Sequence, residues 1–105
     1  MCQDILLVTE QLKDIFGAEK IYVFGVKYDC EDTPCVTDFD VCVVADVDEC
    51  DKTPLLKKAY MQIDCDIPFD IFLYGVDDFR QLAEDSASFV SRILRKGKLY
   101  YEKKQ

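Results

Sequence analysis

The chain has 105 residues, half of them hydrophobic and 32% charged, so it carries enough apolar material for one modest core and is too apolar to stay disordered. Acidic residues outnumber Lys and Arg by 21 to 13, which gives a formal charge of −8, and His is absent. Such a surface repels nucleic acid, and the missing imidazole removes Cys-His and Ser-His nucleophile dyads and histidine-bearing zinc sites together. No apolar run approaches the roughly 20 residues of a bilayer span. Met1-Cys2-Gln3-Asp4 shows no basic n-region. The expectation is a cytoplasmic protein, residues 1–105 forming one domain, with no membrane contact.

Ile5, Val8, Leu12 and Ile15 recur at helical spacing, with Asp4 near the start and Gly17 as the stop. Residues 20–24 read as a short strand that closes on Gly25. The polar stretch 26–37, which contains Pro34, reads as a loop, and 39–44 as a second strand. Residues 46–51 form an acidic, solvated connection without the glycine and terminal glutamate of an EF-hand, so no calcium site is expected there. Thr53-Pro54 supplies an N-cap and a first-turn proline for a helix that buries Leu56, Tyr60 and Ile63. Asp64 and Asp66 fall in the polar connection before Pro68, and 69–74 is a third strand. Asp77 caps a short helix through Phe79 and Leu82. Ser86 caps another that buries Phe89, Val90, Ile93 and Leu94, carries Arg92, Arg95 and Lys96 outside, and ends at Gly97. Residues 99–102 are a final short strand, and Lys103-Lys104-Gln105 a frayed tail. The order αββαβα(α)(β) predicts an α/β or α+β fold, a small mixed sheet of three or four strands backed by helices.

Six cysteines occur: Cys2, Cys30, Cys35, Cys42, Cys50 and Cys65. Cys42 lies inside a core strand, no C-x-x-C is present, and the Cys30/Cys35 gap exceeds the two to four residues or so of a zinc knuckle. They read as reduced, small, fairly apolar residues. Cys30 and Cys35 are the pair to watch for oxidation and carry a weaker, redox-active reading, although no helix N-terminus or basic neighbour lowers either thiol's pKa.

The chemistry concentrates in acids at strand mouths. Asp38 and Asp40 sit at i and i+2 of a strand and therefore project from one face. Like charges that close repel, and a cation or a shared proton offsets the repulsion, so the pair points to a divalent metal. Asp70, in Pro68-Phe69-Asp70-Ile71-Phe72, enters a third apolar run in the same way and completes the set.

Phe24-Gly25-Val26, then Thr37-Asp38-Phe39-Asp40-Val41, then Phe69-Asp70-Ile71, and an ending of Phe89-Val90-Ser91-Arg92-Ile93-Leu94-Arg95-Lys96-Gly97 followed by Leu99-Tyr100-Tyr101-Glu102 together resemble the minimal nucleotidyltransferases, the smallest members of the DNA polymerase β-like superfamily. The likeness runs over residues 5–102. It implies a polymerase β palm-like nucleotidyltransferase fold and an Mg²⁺-dependent transfer of NMP, most simply AMP from ATP, to a hydroxyl. Asp38, Asp40 and Asp70 become the metal ligands of two ions, Asp38 and Asp40 bridging them and Asp70 also helping to deprotonate the acceptor. Gly25, Val26 and Lys27 become the nucleotide-binding turn, whose backbone approaches the β- and γ-phosphates, with Tyr28 a further nucleotide contact. The resemblance also implies a HEPN-type partner protein, the chain being the antitoxin half of a toxin–antitoxin pair, and leaves self-association open.

Two departures stand out. Val26 replaces the family's serine after the glycine, and the following loop holds Asp29, Glu31 and Asp32 where relatives often carry arginine. Acidic side chains beside a triphosphate weaken its binding. The alternative expectation is therefore a binding-only antitoxin or scaffold that keeps the fold and has lost efficient catalysis.

Overall fold

The computed structural model describes residues 3–29 and 35–103. Among these residues the order is α1 (Gln3–Phe16), β1 (Lys20–Asp29), β2 (Cys35–Val44), α2 (Glu49–Gln62), β3 (Phe69–Tyr74), α3 (Val76–Glu84), α4 (Phe89–Lys96) and β4 (Lys98–Glu102). The strands form one mixed sheet, β3-β2-β1-β4, in which β2 and β3 run parallel and the other neighbours antiparallel. A parallel pair needs a crossover, and α2 supplies it. This is the mixed α/β architecture that the sequence predicts, consistent with a small nucleotidyltransferase-like fold.

Alternation along the strands divides the sheet between two cores. Ile21, Val23, Phe39, Val41, Val43 and Ile71 join the core that also holds Ile5, Val8, Leu12 and Phe16 of α1 and Ala59 of α2. Tyr22, Cys42 and Val44 join the second, with Phe79 of α3 and Val90 and Ile93 of α4. Being covered on both faces, β2 reads as an unbroken apolar run over its second half. No helix among the described residues is long and apolar enough to cross a membrane.

Several boundaries differ from the sequence reading. β1 does not stop at Gly25, and 26–29 and 35–37 are not loop: the two strands continue as a hairpin arm, pairing out to Asp29 and Cys35. Phe16 replaces Ile15 as the buried end of the α1 stripe, and Gly17 ends that helix at φ +59°, a conformation that costs glycine nothing. α2 begins at Glu49, a turn before Thr53, so Pro54 lies inside it. Glu49 and Asp51 in the first turn complement the helix dipole, and Lys52 pairs with Glu49 at 2.9 Å. The N-cap of α3 is Gly75 and not Asp77, and that of α4 is Ser88 and not Ser86. Ser88 Oγ accepts the Ser91 N–H at 3.1 Å, which satisfies one orphan donor of the first turn. Tyr60, Phe89 and Leu94 are exposed, not buried as their spacing predicts.

The Cys30/Cys35 thiols, the acidic side chains Asp29, Glu31 and Asp32, Pro34, Cys2 and the end of the tail lie outside the described residues.

Candidate functional site

The parallel register of β2 and β3 places Asp40 directly beside Asp70 and Phe39 beside Phe69. Paired residues of parallel strands point to the same face, so the two carboxylates share one side of the sheet and the two phenylalanines the other. Asp38, two residues before Asp40, joins the carboxylate side. That side is the one covered further along by α3 and α4. Only Asp70 is near a strand start, as the second residue of β3; Asp38 and Asp40 lie in the middle of β2, where β3 joins it, and not at a strand mouth as the sequence reading has them.

Gly25 explains how Asp40 fits. Between the pairs Phe24↔Asp40 and Lys27↔Asp38, β1 has two residues, Gly25 and Val26, against the single Phe39 of β2. This is a β-bulge, with glycine in the left-handed region at φ +61°. A β-carbon on Gly25 would come within 2.4 Å of Asp40 Oδ2. The carboxylate thus lies over a bare α-carbon that no other residue provides.

An apolar wall closes the inner side. Phe24 pairs with Asp40 across the sheet and Phe72 follows Asp70 by one pleat. Their rings are 5.5 Å apart, and Phe89, at the start of α4, stands 5.6 Å from Phe24 and 5.3 Å from Phe72. Burial beside these rings is the first cause holding the Asp40 carboxyl above its ordinary range. The charges of Asp70 and then Asp38 push it the same way, while Lys27 opposes them. Asp40 therefore feels both neighbouring acids through space.

Lys27 is the local counter-charge. Its Nζ is 4.0 Å from Asp38 Oδ2, and its side chain is 73% exposed, so the pair is solvated and weak. Val26 faces the other way and packs against the α1/α2 core. A serine hydroxyl placed there would meet an apolar surface, which accounts for the valine. Beyond the bulge β1 continues as strand, so Gly25, Val26 and Lys27 form a kinked ribbon and not the start of a helix. Their amides offer a bulge's irregular donors, without a helix dipole behind them.

Among the described residues no three acidic or thiol side chains stand close enough to form a finished metal cage, the aspartate trio included. The backbone brings the three to one face, with Asp40 and Asp70 as register partners and Asp38 two residues upstream of Asp40. Asp70 is exposed and Asp38 partly so, and rotation of such side chains is fast. The donor set is all oxygen and three acids strong, which suits a hard divalent ion such as Mg²⁺.

Other candidates fall away from this centre. Asp64 and Asp66 lie exposed in the connection before β3, and Asp46 and Asp48 in the connection before α2. Arg92, Arg95 and Lys96 are exposed along α4. Cys42 is buried under the sheet's second core, and burial pushes its thiol up to about 12, which makes it inert. The sequence reading missed Tyr60 as anything but core. It is 47% exposed, and its hydroxyl accepts the Ile71 N–H at 2.7 Å, immediately after Asp70. No sequence signal marks that bond, because helical spacing alone cannot show which edge of the sheet a ring will overhang.

No protein-family model matches the chain, and no curated protein matches it.

Proposed function

We propose that the chain is a divalent-cation-dependent nucleotidyltransferase domain that moves a nucleoside monophosphate, most simply AMP from ATP, onto a hydroxyl of a partner protein. The supporting observation is the Asp40↔Asp70 register pair, on one open face with Asp38 upstream and the bare Gly25 α-carbon beneath. Asp38, Asp40 and Asp70 would hold the ions, which neutralise charge on the entering and leaving oxygens when bound.

The rest of the chemistry belongs to the chain. In the transfer, the acceptor oxygen bonds to the α-phosphorus, the bond from that phosphorus to the bridging oxygen breaks, and pyrophosphate leaves. Asp70, the most exposed of the trio, takes the acceptor proton. The Phe24–Phe72–Phe89 wall shields the inner side of the carboxylates from water, which strengthens each electrostatic contact there. Lys27 screens the trio until positive charge arrives with the substrate. An acceptor hydroxyl on a separate protein is what the sequence resemblance implies. A HEPN-type partner is the reading that the sequence resemblance favours, and the net charge of −8 suits a basic surface.

A binding-only scaffold is the second reading. The lack, among the described residues, of three acidic or thiol side chains gathered as a metal cage and the continuation of β1 as strand after Gly25 favour it. Calorimetry with Mg·ATP, followed by transfer of label from α-³²P-ATP to a HEPN-type protein, separates the two. Transfer that disappears in the Asp38→Asn/Asp40→Asn double variant establishes the enzyme. Tight partner binding with neither ATP binding nor transfer leaves the scaffold.

A further inference from the structure

β3 is the end strand of the sheet, and the peptide between Asp70 and Ile71 is held from outside the sheet. The hydroxyl of Tyr60, on α2, accepts the Ile71 N–H at 2.7 Å. The Tyr60 ring stacks on Phe69 with centroids 5.9 Å apart, and Phe69 stacks on Phe39 at 5.6 Å. Phe69 immediately precedes Asp70, and Phe39 lies between Asp38 and Asp40. The three rings thus form a row on the sheet face opposite the carboxylates, directly under the two strand segments that carry them. Side chains alternate across the pleat, so whatever fixes Phe69 and the Asp70–Ile71 peptide also fixes the direction in which the Asp70 side chain leaves the strand.

Burial alone does not explain this tyrosine. The residue is nearly half exposed, and a phenylalanine would stack as well. The hydroxyl adds one thing, an acceptor for an edge amide that has no further strand to bond. An edge strand held on one side only is free to fray, and here the fraying end is the one that bears Asp70.

We propose that Tyr60 is a positioning residue for Asp70, its hydroxyl clamping the Asp70–Ile71 peptide and its ring the Phe69/Phe39 stack, so that Asp70 stays in register with Asp40. This role rests on the reading of the aspartate trio as a cation site. It reaches no substrate itself and acts only through the β3 edge.

The test uses the full chain and Mn²⁺ alone as probe, with binding followed by water-proton relaxation. Tyr60→Phe keeps the stack and removes the acceptor. It is expected to weaken Mn²⁺ binding about two- to tenfold, the range one net hydrogen bond supports, and to speed exchange of the Ile71 amide. Replacement of Tyr60 by p-methoxyphenylalanine retains an acceptor oxygen and is expected to restore both. Leu56→Ala, on the same helix and packed against the same core but off the stack, is the control for simple loss of stability. It is expected to lower the melting temperature and leave Mn²⁺ affinity unchanged. Equal affinity in Tyr60→Phe and wild type overturns the positioning role and leaves the cation site standing. The same loss of affinity in Leu56→Ala also overturns it. Wild-type protein that binds no Mn²⁺ overturns the cation site, and the role of Tyr60 with it.

Discussion

Replacing Gly25 by alanine tests the close approach on which the carboxylate arrangement depends. Two costs arise. The φ of +61° is strained for any residue with a β-carbon, at about 1–2 kcal/mol. The new β-carbon would also stand 2.4 Å from Asp40 Oδ2, so the carboxylate must retreat by about 1 Å to reach ordinary contact. Gly17 provides the control, because its φ is +59° and a β-carbon there meets nothing within 4 Å. Gly17→Ala therefore carries the backbone cost alone. For a domain of this size, 1–2 kcal/mol lowers the melting temperature by roughly 4–16 °C, and both variants are expected in that range. Only Gly25→Ala is expected to lose Mn²⁺ affinity, because only there is Asp40, a ligand in the proposed cation site, displaced. Thermal melts and Mn²⁺ titrations of the two variants decide it. Matched melting losses with wild-type Mn²⁺ affinity in Gly25→Ala would refute the idea that a bare α-carbon is needed under Asp40.

Asp40→Asn is expected to stabilise the metal-free protein at neutral pH. Burial and the neighbouring acids raise the folded-state pKa of Asp40, so stability is full below the ordinary carboxyl value and is lost as pH rises through the raised one. With solvent screening, the gain from removing the charge is about 0.2–1 kcal/mol, and it should vanish in acid; urea titrations across that pH range measure it. Saturating Mg²⁺ should reverse the order, because the wild type then gains binding free energy that the asparagine variant lacks. The thiol of Cys42 is expected to resist a thiol reagent at mildly alkaline pH until the protein unfolds, while exposed Cys50 reacts at once. Labelling followed by peptide mass mapping, with and without denaturant, reads this directly.

Residues that meet a core were readable in advance, because periodicity records burial. The α1 stripe, the β3 run and the short β4 follow from it, whereas the register that sets Asp40 beside Asp70 depends on strand pairing that periodicity does not record. The hairpin arm does not follow from it either, since Lys27, Tyr28 and Thr37 look like loop residues once no helix covers them. Their strand state comes from cross-strand pairing, which leaves no hydrophobic pattern in so short a ribbon. Helix starts were misplaced for a different reason. Thr53-Pro54 is a strong local signal, yet Glu49 and Asp51 at the dipole's positive end carry the helix a turn further back. Ser86 and Ser88 are chemically equal as caps, and the turn after α3 alone selects the second, with Ser91 Oγ donating to the Asp85 carbonyl at 2.6 Å. The bulge at Gly25 was visible only as a glycine. That it holds Asp40 requires knowing which residue lies across the ladder.

The arm formed by the outer ends of β1 and β2 has a consequence for how this protein can change over time. β4 pairs with β1 only as far as Val23, and β3 joins β2 only from Phe39, so among the described residues the ladder from Lys27 outward is two-stranded, with Val36 packed against the α1/α2 core. A ribbon of that kind contributes little to global stability. Lengthening its tip adds only a slowly growing chain-closure entropy. Mutational drift there is therefore nearly free of folding cost, and the acidic mouth beside it can acquire new neighbours, and so new selectivity, without disturbing the interior.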